Sequence, residues 1–165
     1  MVKELYLIRH GQAEEQSANT KDVERQLTSK GYQDASKIGL YLKRNEFIPD
    51  IILHSSAVRT TETVWRINEQ LGVDQDHIES LEDIYEASVR ILIRIITEIP
   101  AELRSAIVVG HNPAISYLSE YITGAEIGHV GTGGIVHIRV PFTSWSEISE
   151  KNCDFIEYIS PEDIY

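Results

Sequence analysis

The chain has 165 residues, of which 42% are hydrophobic and 25% are charged, and its 15 lysines and arginines against 26 aspartates and glutamates give a net charge of −11. This composition predicts a single domain, residues 1–165, that needs neither a metal nor a disulfide to be stable. The acidic excess argues against nucleic-acid binding and against an anionic membrane surface, and no apolar stretch approaches the roughly 20 residues of a membrane span. The single cysteine, Cys153, and a charged N-terminus without a signal peptide favour a cytoplasmic location.

Apolar runs alternate with helical patterns along the chain, after a polar loop at residues 11–26 that follows the first run. Strands are predicted at residues 5–8, 50–53, 77–81 and 106–109, and helices at residues 28–44, 57–71, 88–98 and 113–121. Residues 134–140 and 155–159 alternate in polarity, as antiparallel edge strands do. Strands separated by helices predict an α/β fold, a three-layer α/β/α sandwich with a mostly parallel sheet and an antiparallel edge. In the helix at 57–71, Trp65 shares a side with Val58 and Thr61 and is expected in the core.

Basic residues follow three of the predicted strands. The three segments are Arg9-His10-Gly11, then His54-Ser55-Ser56 with Arg59 in the next helix, and Gly110-His111-Asn112. Because ligands of such sheets bind outside the carboxyl ends of the strands, these side chains are expected at one rim, where Arg25 from the first loop can join them. Arginine is a bidentate donor to phosphoryl oxygens, and a helix that begins after Asn112 adds a favourable dipole. The sequence therefore predicts a phosphoryl-binding site.

The segment Leu7-Ile8-Arg9-His10-Gly11 resembles the signature of the histidine phosphatase superfamily, also called the phosphoglycerate mutase-like superfamily. Three more elements follow in family order, at residues 25–28 with Gly31, at 55–59 with Thr60 and Thr63, and at 110–113, although Ser56 stands where proline is usual. Residues 85–88 and 132–134 resemble elements of the small SixA-like phosphohistidine phosphatases. The resemblance covers about residues 3–160 and leaves no room for the insertion that covers the site of larger members and supplies a catalytic acid.

This resemblance implies a catalytic role for four residues. His10 would be the nucleophile that carries the phosphoryl group, Arg9 and Arg59 would hold the phosphoryl oxygens, and His111 would donate to them. The attacking imidazole must be neutral, and the neighbouring arginines should lower the pKa of His10. A backbone carbonyl that accepts from Nδ1 would leave Nε2 free to attack.

Further substrate contacts are expected from Gly11, Arg25 and Asn112. Glu86 is a candidate proton donor or water activator, and it is the only carboxylate that the sequence places near the rim; capping of the next helix is the alternative. No metal or other cofactor is expected. His54 lies at a strand end but outside the motifs, and the three remaining histidines are expected on the surface or in strands: His77, His129 and His137.

The predicted function is that of a metal-independent phosphatase that acts through a phosphohistidine intermediate on His10. The expected substrate is a phosphohistidine on a protein, because an uncovered site admits a protein side chain. One alternative is a phosphatase of small phosphomonoesters. The other is a noncatalytic phospho-binding module, which intact His10 and His111 argue against because a binder needs only the arginines. The sequence predicts neither a nucleic-acid nor a membrane partner, and it does not define the oligomeric state.

Overall fold

The computed structural model describes residues 2–165, which contain a six-stranded sheet and four α-helices. The strands are β1 (Lys3–Arg9), β2 (Ile51–Ser55), β3 (Ile78–Leu81), β4 (Ser105–Gly110), β5 (Ile135–Val140) and β6 (Asp154–Ile159). The helices are α1 (Ser29–Arg44), α2 (Val58–Leu71), α3 (Val89–Thr97) and α4 (Ala114–Thr123). Each predicted element is present, with its ends moved by a residue or two.

The strand order is β3-β2-β4-β1-β5-β6. The first four of these strands pair in parallel, whereas β5 runs antiparallel to both β1 and β6. This topology confirms the predicted mostly parallel sheet with an antiparallel edge. Arg9 pairs with Gly110, and His54 pairs with Val109, so β1, β2 and β4 end at the same edge of the sheet.

Helices cover both faces of the sheet. Along β1, Leu5 and Leu7 pack on the face covered by α3 and α4, and Tyr6 and Ile8 pack on the face covered by α1 and α2. The central strand β4 is buried along its whole length. Burial of one such aliphatic side chain stabilises the fold by about 1.5–3 kcal/mol, so the sheet is a firm support for the loops at its edge. Among residues 2–165, no helix combines the length and apolarity that crossing a bilayer requires.

The helix ends follow from local sequence signals. Thr28 caps α1, since its Oγ1 accepts from the Gly31 amide at 3.0 Å, and Ser88 caps α3 by accepting from the Ile91 amide at 3.3 Å. α2 ends at Gly72, whose φ of 68° is a left-handed conformation that glycine adopts without strain.

The expectation that Trp65 lies in the core is wrong. Its side chain is 61% exposed. The buried face of α2 consists of Arg59, Thr60, Thr63, Val64, Ile67 and Leu71. This face is rotated from the predicted stripe because α2 packs against α1 and directs Arg59 inward, toward the end of the sheet. The tryptophan of the core is Trp145, which the sequence places in a polar connection and whose Nε1 donates to the carbonyl of Leu103 at 2.9 Å.

Candidate active site

A cavity of about 260 Å³ opens at the carboxyl ends of β1, β2 and β4. Its lining residues are Arg9, His10, Gln12, Ala13, Arg25, Arg59, His111, Asn112 and Thr132. The structure therefore brings together six of the residues predicted from the sequence, whereas Gly11 and Glu86 are not in the lining. A larger groove of about 510 Å³ lies between β3 and α3 and contains none of the predicted residues.

His10 follows β1 directly and is only 6% exposed. Its Nδ1 lies 2.7 Å from the carbonyl oxygen of Gly11. Because a carbonyl can only accept, Nδ1 carries the ring proton and Nε2 is unprotonated, with its lone pair available as an acceptor. The Nε of Arg59 donates to this Nε2 at 3.4 Å. Burial is the main cause that lowers the pKa of His10 to about 3, and His111, Arg59 and Arg9 lower it further. The expected direction is therefore present, but desolvation outweighs the arginines.

The guanidinium of Arg59 is buried and is held at its outer end by Asp22. Nη1 donates to the main-chain oxygen of Asp22 at 2.8 Å, and Nη2 donates to its carboxylate Oδ2 at 3.1 Å. Nε is left to face His10. Arg59 thus connects His10 to the polar loop between β1 and α1.

Asp22 is a site residue that sequence reasoning missed, and the expectation that Glu86 is the only carboxylate near the rim is wrong. The Asp22 carboxylate accepts from Arg25 Nε at 3.0 Å and from the hydroxyl of Tyr85. The hydrogen bond from Tyr85 and the charge of Arg59 hold the pKa of Asp22 at about 2, so the carboxylate is ionised. The available sequence signal was the opposite charge of Arg25 three residues later.

His111 lies across the cavity from His10, with the two ring centroids 5.2 Å apart. Its Nε2 is 2.8 Å from the Ser55 hydroxyl oxygen, which itself accepts from the amide of Ala57 at 3.1 Å. Burial, with the charge of Arg59 next in size, lowers the pKa of His111 to about 4.

Two buried side-chain nitrogens in the described residues have no hydrogen-bond partner, Nε of Arg9 and Nδ1 of His111. Both belong to residues that line the cavity. An unsatisfied buried donor costs free energy, and such groups are rare unless a ligand or water completes them. Arg9 and His111 therefore each keep a polar atom whose hydrogen-bonding capacity the described residues leave unused.

The loop at residues 130–134 fixes the opposite wall. The Gly133 amide donates to the carbonyls of Arg9 at 3.0 Å and of His10 at 2.9 Å. Nη1 of Arg9 donates to the carbonyl of Val130 at 3.2 Å, and the Asn112 side-chain amide donates to the same oxygen at 2.7 Å. Nη1 of Arg9 also lies 3.2 Å from Nε2 of His129, an exposed histidine without a predicted role in the site.

Gly11 positions the site rather than lining it. Its amide donates to Oγ1 of Thr63 in α2 at 3.1 Å, and a Cβ on Gly11 would lie 2.9 Å from the carbonyl of Gly31. A Cβ on Gly31 would lie 2.2 Å from the carbonyl of Gln12. The segment after His10 therefore crosses the start of α1 in backbone contact, which only two glycines allow.

Glu86 is exposed and lies next to Tyr85, outside the cavity lining. It does not cap α3 either, because Ser88 is the capping residue. Within residues 2–165, this carboxylate therefore neither lines the cavity, as a proton donor would, nor caps α3.

The model of the histidine phosphatase superfamily (branch 1) matches residues 5–90, more than half of the chain, and the chain belongs to this superfamily. It is 29% identical over 149 residues to an uncharacterised protein of Mycobacterium leprae, which covers 85% of this chain and 89% of the relative. Its fold is similar to that of a protein designated phosphohistidine phosphatase SixA from Nakamurella multipartitia, with a TM-score of 0.85, 21% identity, and coverage of 98% of this chain and 97% of that one. The protein histidine phosphatase SixA in complex with tungstate gives a TM-score of 0.82 at 21% identity, with coverage of 97% and 98%.

Proposed function

We propose that this protein is a phosphatase in which Nε2 of His10 attacks the phosphoryl group of the substrate. The observation that carries the proposal is the contact of Nδ1 with the carbonyl of Gly11, which fixes the proton away from the attacking nitrogen. In the first step the N–P bond forms, and the bond to the leaving group breaks with its electron pair. In the second step water attacks phosphorus, the N–P bond breaks with its electron pair returning to Nε2, and the protons of the water leave with the phosphate, which restores neutral His10.

The cations of the cavity would stabilise the charge on the transferring group. Phosphoryl transfer needs positioning and charge stabilisation more than other chemistry, and arginines fit phosphoryl oxygens as bidentate donors. Arg9, Arg25 and Arg59 supply three guanidinium groups at the cavity. The Ser55 hydroxyl can donate to Nε2 of His111, which places the ring proton on the unpartnered Nδ1 and makes it a further donor.

We propose a phosphohistidine on a protein as the substrate. The cavity of about 260 Å³ is smaller than the roughly 300–1,000 Å³ of sites that enclose a small molecule, so a phosphoryl group can enter while its carrier stays outside. Imidazole is a good leaving group that needs little proton assistance, which suits a cavity whose neighbouring carboxylate, Asp22, is ionised. Similarity over nearly the whole length of SixA structures supports the same substrate class.

The proposed reaction is metal-independent, because the arginines supply the charge that a metal would otherwise provide. We expect EDTA to leave the turnover rate unchanged. A loss of activity with EDTA that an added metal reverses would contradict this mechanism.

The cytoplasmic location remains a prediction from the sequence.

The experiment is a comparison of kcat/KM on a phosphohistidine protein and on small phosphomonoesters for the wild type and for His10→Ala. A matched control is His77→Ala, which removes an exposed histidine outside the cavity lining. We expect turnover of the phosphohistidine protein to be preferred, to disappear in His10→Ala and to persist in His77→Ala. Full turnover by His10→Ala would overturn the proposal, and a preference for a small phosphomonoester would replace only the substrate.

A further inference from the structure

The carboxylate of Asp22 lies beside a cavity that is lined by three arginines, which attract an anionic phosphoryl group. A negative charge in this position repels a phosphoryl group, so its presence requires a separate physical reason. The hydrogen bonds of Asp22 give this reason, because all five come from residues at the cavity or beside it: Arg25, Arg59 and Tyr85.

The contacts of Arg59 define which edge of its guanidinium faces the nucleophile. A guanidinium has five N–H donors in a planar fork, and two different edges can bind an oxyanion. Asp22 takes the outer edge, with its main-chain oxygen on Nη1 and Oδ2 on Nη2. The edge that contains Nε is left toward Nε2 of His10, 3.4 Å away.

Tyr85 holds the same carboxylate from the other side. Its hydroxyl donates to Oδ2 of Asp22, and its ring centroid lies 5.9 Å from Cζ of Arg59. The ring also meets His111 edge-on, with centroids 5.6 Å apart and an interplanar angle of 83°. Oδ1 of Asp22 accepts from Nε of Arg25, so one carboxylate connects two arginines of the cavity and the aromatic ring that packs on Arg59.

We propose that Asp22, supported by Tyr85, is a positioning residue that holds the guanidinium of Arg59 with its Nε edge toward the phosphoryl group as this group moves to His10. The proposal rests on the phosphoryl site of the proposed function. It assigns Asp22 no proton transfer, in agreement with a carboxylate whose pKa lies at about 2.

Binding of tungstate separates this role from simple electrostatics. If Asp22 acts only as a charge, Asp22→Asn removes repulsion and tightens tungstate binding. If Asp22 positions Arg59, the same change allows the guanidinium of Arg59 to move and weakens the binding of tungstate, although a negative charge has been removed. We expect the Kd for tungstate to rise about tenfold, the size of a lost charged hydrogen bond. We expect kcat on p-nitrophenyl phosphate to fall by on the order of 10²-fold, the effect of a misplaced catalytic group.

Two further variants complete the experiment. Tyr85→Phe removes the hydroxyl but leaves the charge of Asp22, and we expect smaller changes in the same direction in both Kd and kcat. Asp76→Asn removes an exposed aspartate elsewhere, and we expect wild-type values. Thermal unfolding verifies the fold of each variant, and Tyr85→Phe decides the matter if Asp22→Asn does not fold.

Tungstate binding that is unchanged or tighter in Asp22→Asn, with kcat unchanged, would overturn the positioning role and leave the phosphoryl site intact. A wild type that binds no tungstate would overturn the phosphoryl site and the role of Asp22 with it.

Discussion

Arg59 connects His10 with Asp22 at the cavity. It touches His10 through Nε and Asp22 through both terminal nitrogens, and it is 5% exposed. A buried donor of this kind stabilises charge in the transition state most effectively when its geometry is fixed before the substrate arrives.

We expect Arg59→Ala to cost about 2.7–4 kcal/mol of transition-state stabilisation, the scale of one oxyanion donor. Arg59→Lys should recover only part of the rate, because a lysine lacks the planar fork. The measurement is kcat/KM of both variants, with Arg66→Ala as a control on the same helix, where Arg66 packs on Tyr32 instead of the cavity. Normal turnover by Arg59→Ala would mean that the phosphoryl group binds elsewhere.

For Glu86, exposure outside the cavity lining predicts that Glu86→Gln leaves kcat/KM unchanged on both an alkyl phosphate and a phosphohistidine protein. A general acid would instead show a loss of about 10²–10⁴-fold on the alkyl phosphate, whose leaving group needs a proton. The phosphohistidine substrate would be affected much less. Such a selective loss would establish Glu86 as the proton donor and contradict the expectation.

The sequence predicts the cavity residues that lie at strand ends, but it does not predict Asp22. Arg9 ends β1, and His10 and His111 directly follow buried strands, so the predicted strands already place all three at one edge of the sheet. Asp22 lies in an aperiodic loop, in a short 3₁₀ turn at Asp22–Glu24. Its position depends on Arg59 and Tyr85, which are distant in sequence, and no local pattern encodes such contacts.

The crossing of the segment after β1 over the start of α1 is the element contact that fixes His10. We expect Gly31→Ala to destabilise the protein by about 1–3 kcal/mol, as overpacking does, because its Cβ would lie 2.2 Å from the carbonyl of Gln12. It should also lower kcat, since relief of the clash moves Gly11 and with it the acceptor of His10 Nδ1. Urea unfolding and kinetics measure the two effects.

Gln33→Ala is the matched control for this change, because Gln33 is exposed on the same helix. It should leave both stability and kcat near the wild-type values. A Gly31→Ala protein with wild-type stability and activity would show that the crossing tolerates a side chain and does not position the nucleophile.

The order and type of the elements could be predicted because β1, β2 and β4 contain continuous apolar runs, β5 and β6 alternate in polarity, and each helix carries its own cap or terminator, such as Thr28 and Gly72. The orientation of α2 could not. Its inward face contains Arg59, Thr60 and Thr63, whose polar groups are satisfied by local or cavity contacts. A prediction from hydrophobicity alone therefore chooses the wrong face of the helix and places Trp65 in the core.

His10 and His54 are buried and His111 is half-buried, and desolvation is the main cause that lowers the pKa of each of the three. Below the ordinary histidine pKa of about 6.5, the unfolded chain takes up protons that the folded chain excludes. The free energy of unfolding contributed by these groups therefore falls as the pH falls from about 6.5 toward the lowered values.

His54→Gln tests this linkage without touching the cavity lining. We expect the change in unfolding free energy between pH 7.5 and pH 5.0 to be less unfavourable in the variant than in the wild type, because one proton-excluding group is gone. The comparison cancels the effect of the net charge of −11, which both proteins share. Urea unfolding at the two pH values gives the difference, and identical pH dependences would contradict the account.

The proposed mechanism depends on a covalent phosphoryl intermediate on His10, and this intermediate can be trapped. Brief exposure to a ³²P-labelled substrate, followed by an alkaline quench and peptide mapping, should find an acid-labile, alkali-stable phosphoryl group on His10. The label should be absent from His10→Ala and present in His77→Ala. Label retained by His10→Ala, or found on a serine such as Ser55, would contradict the proposed nucleophile.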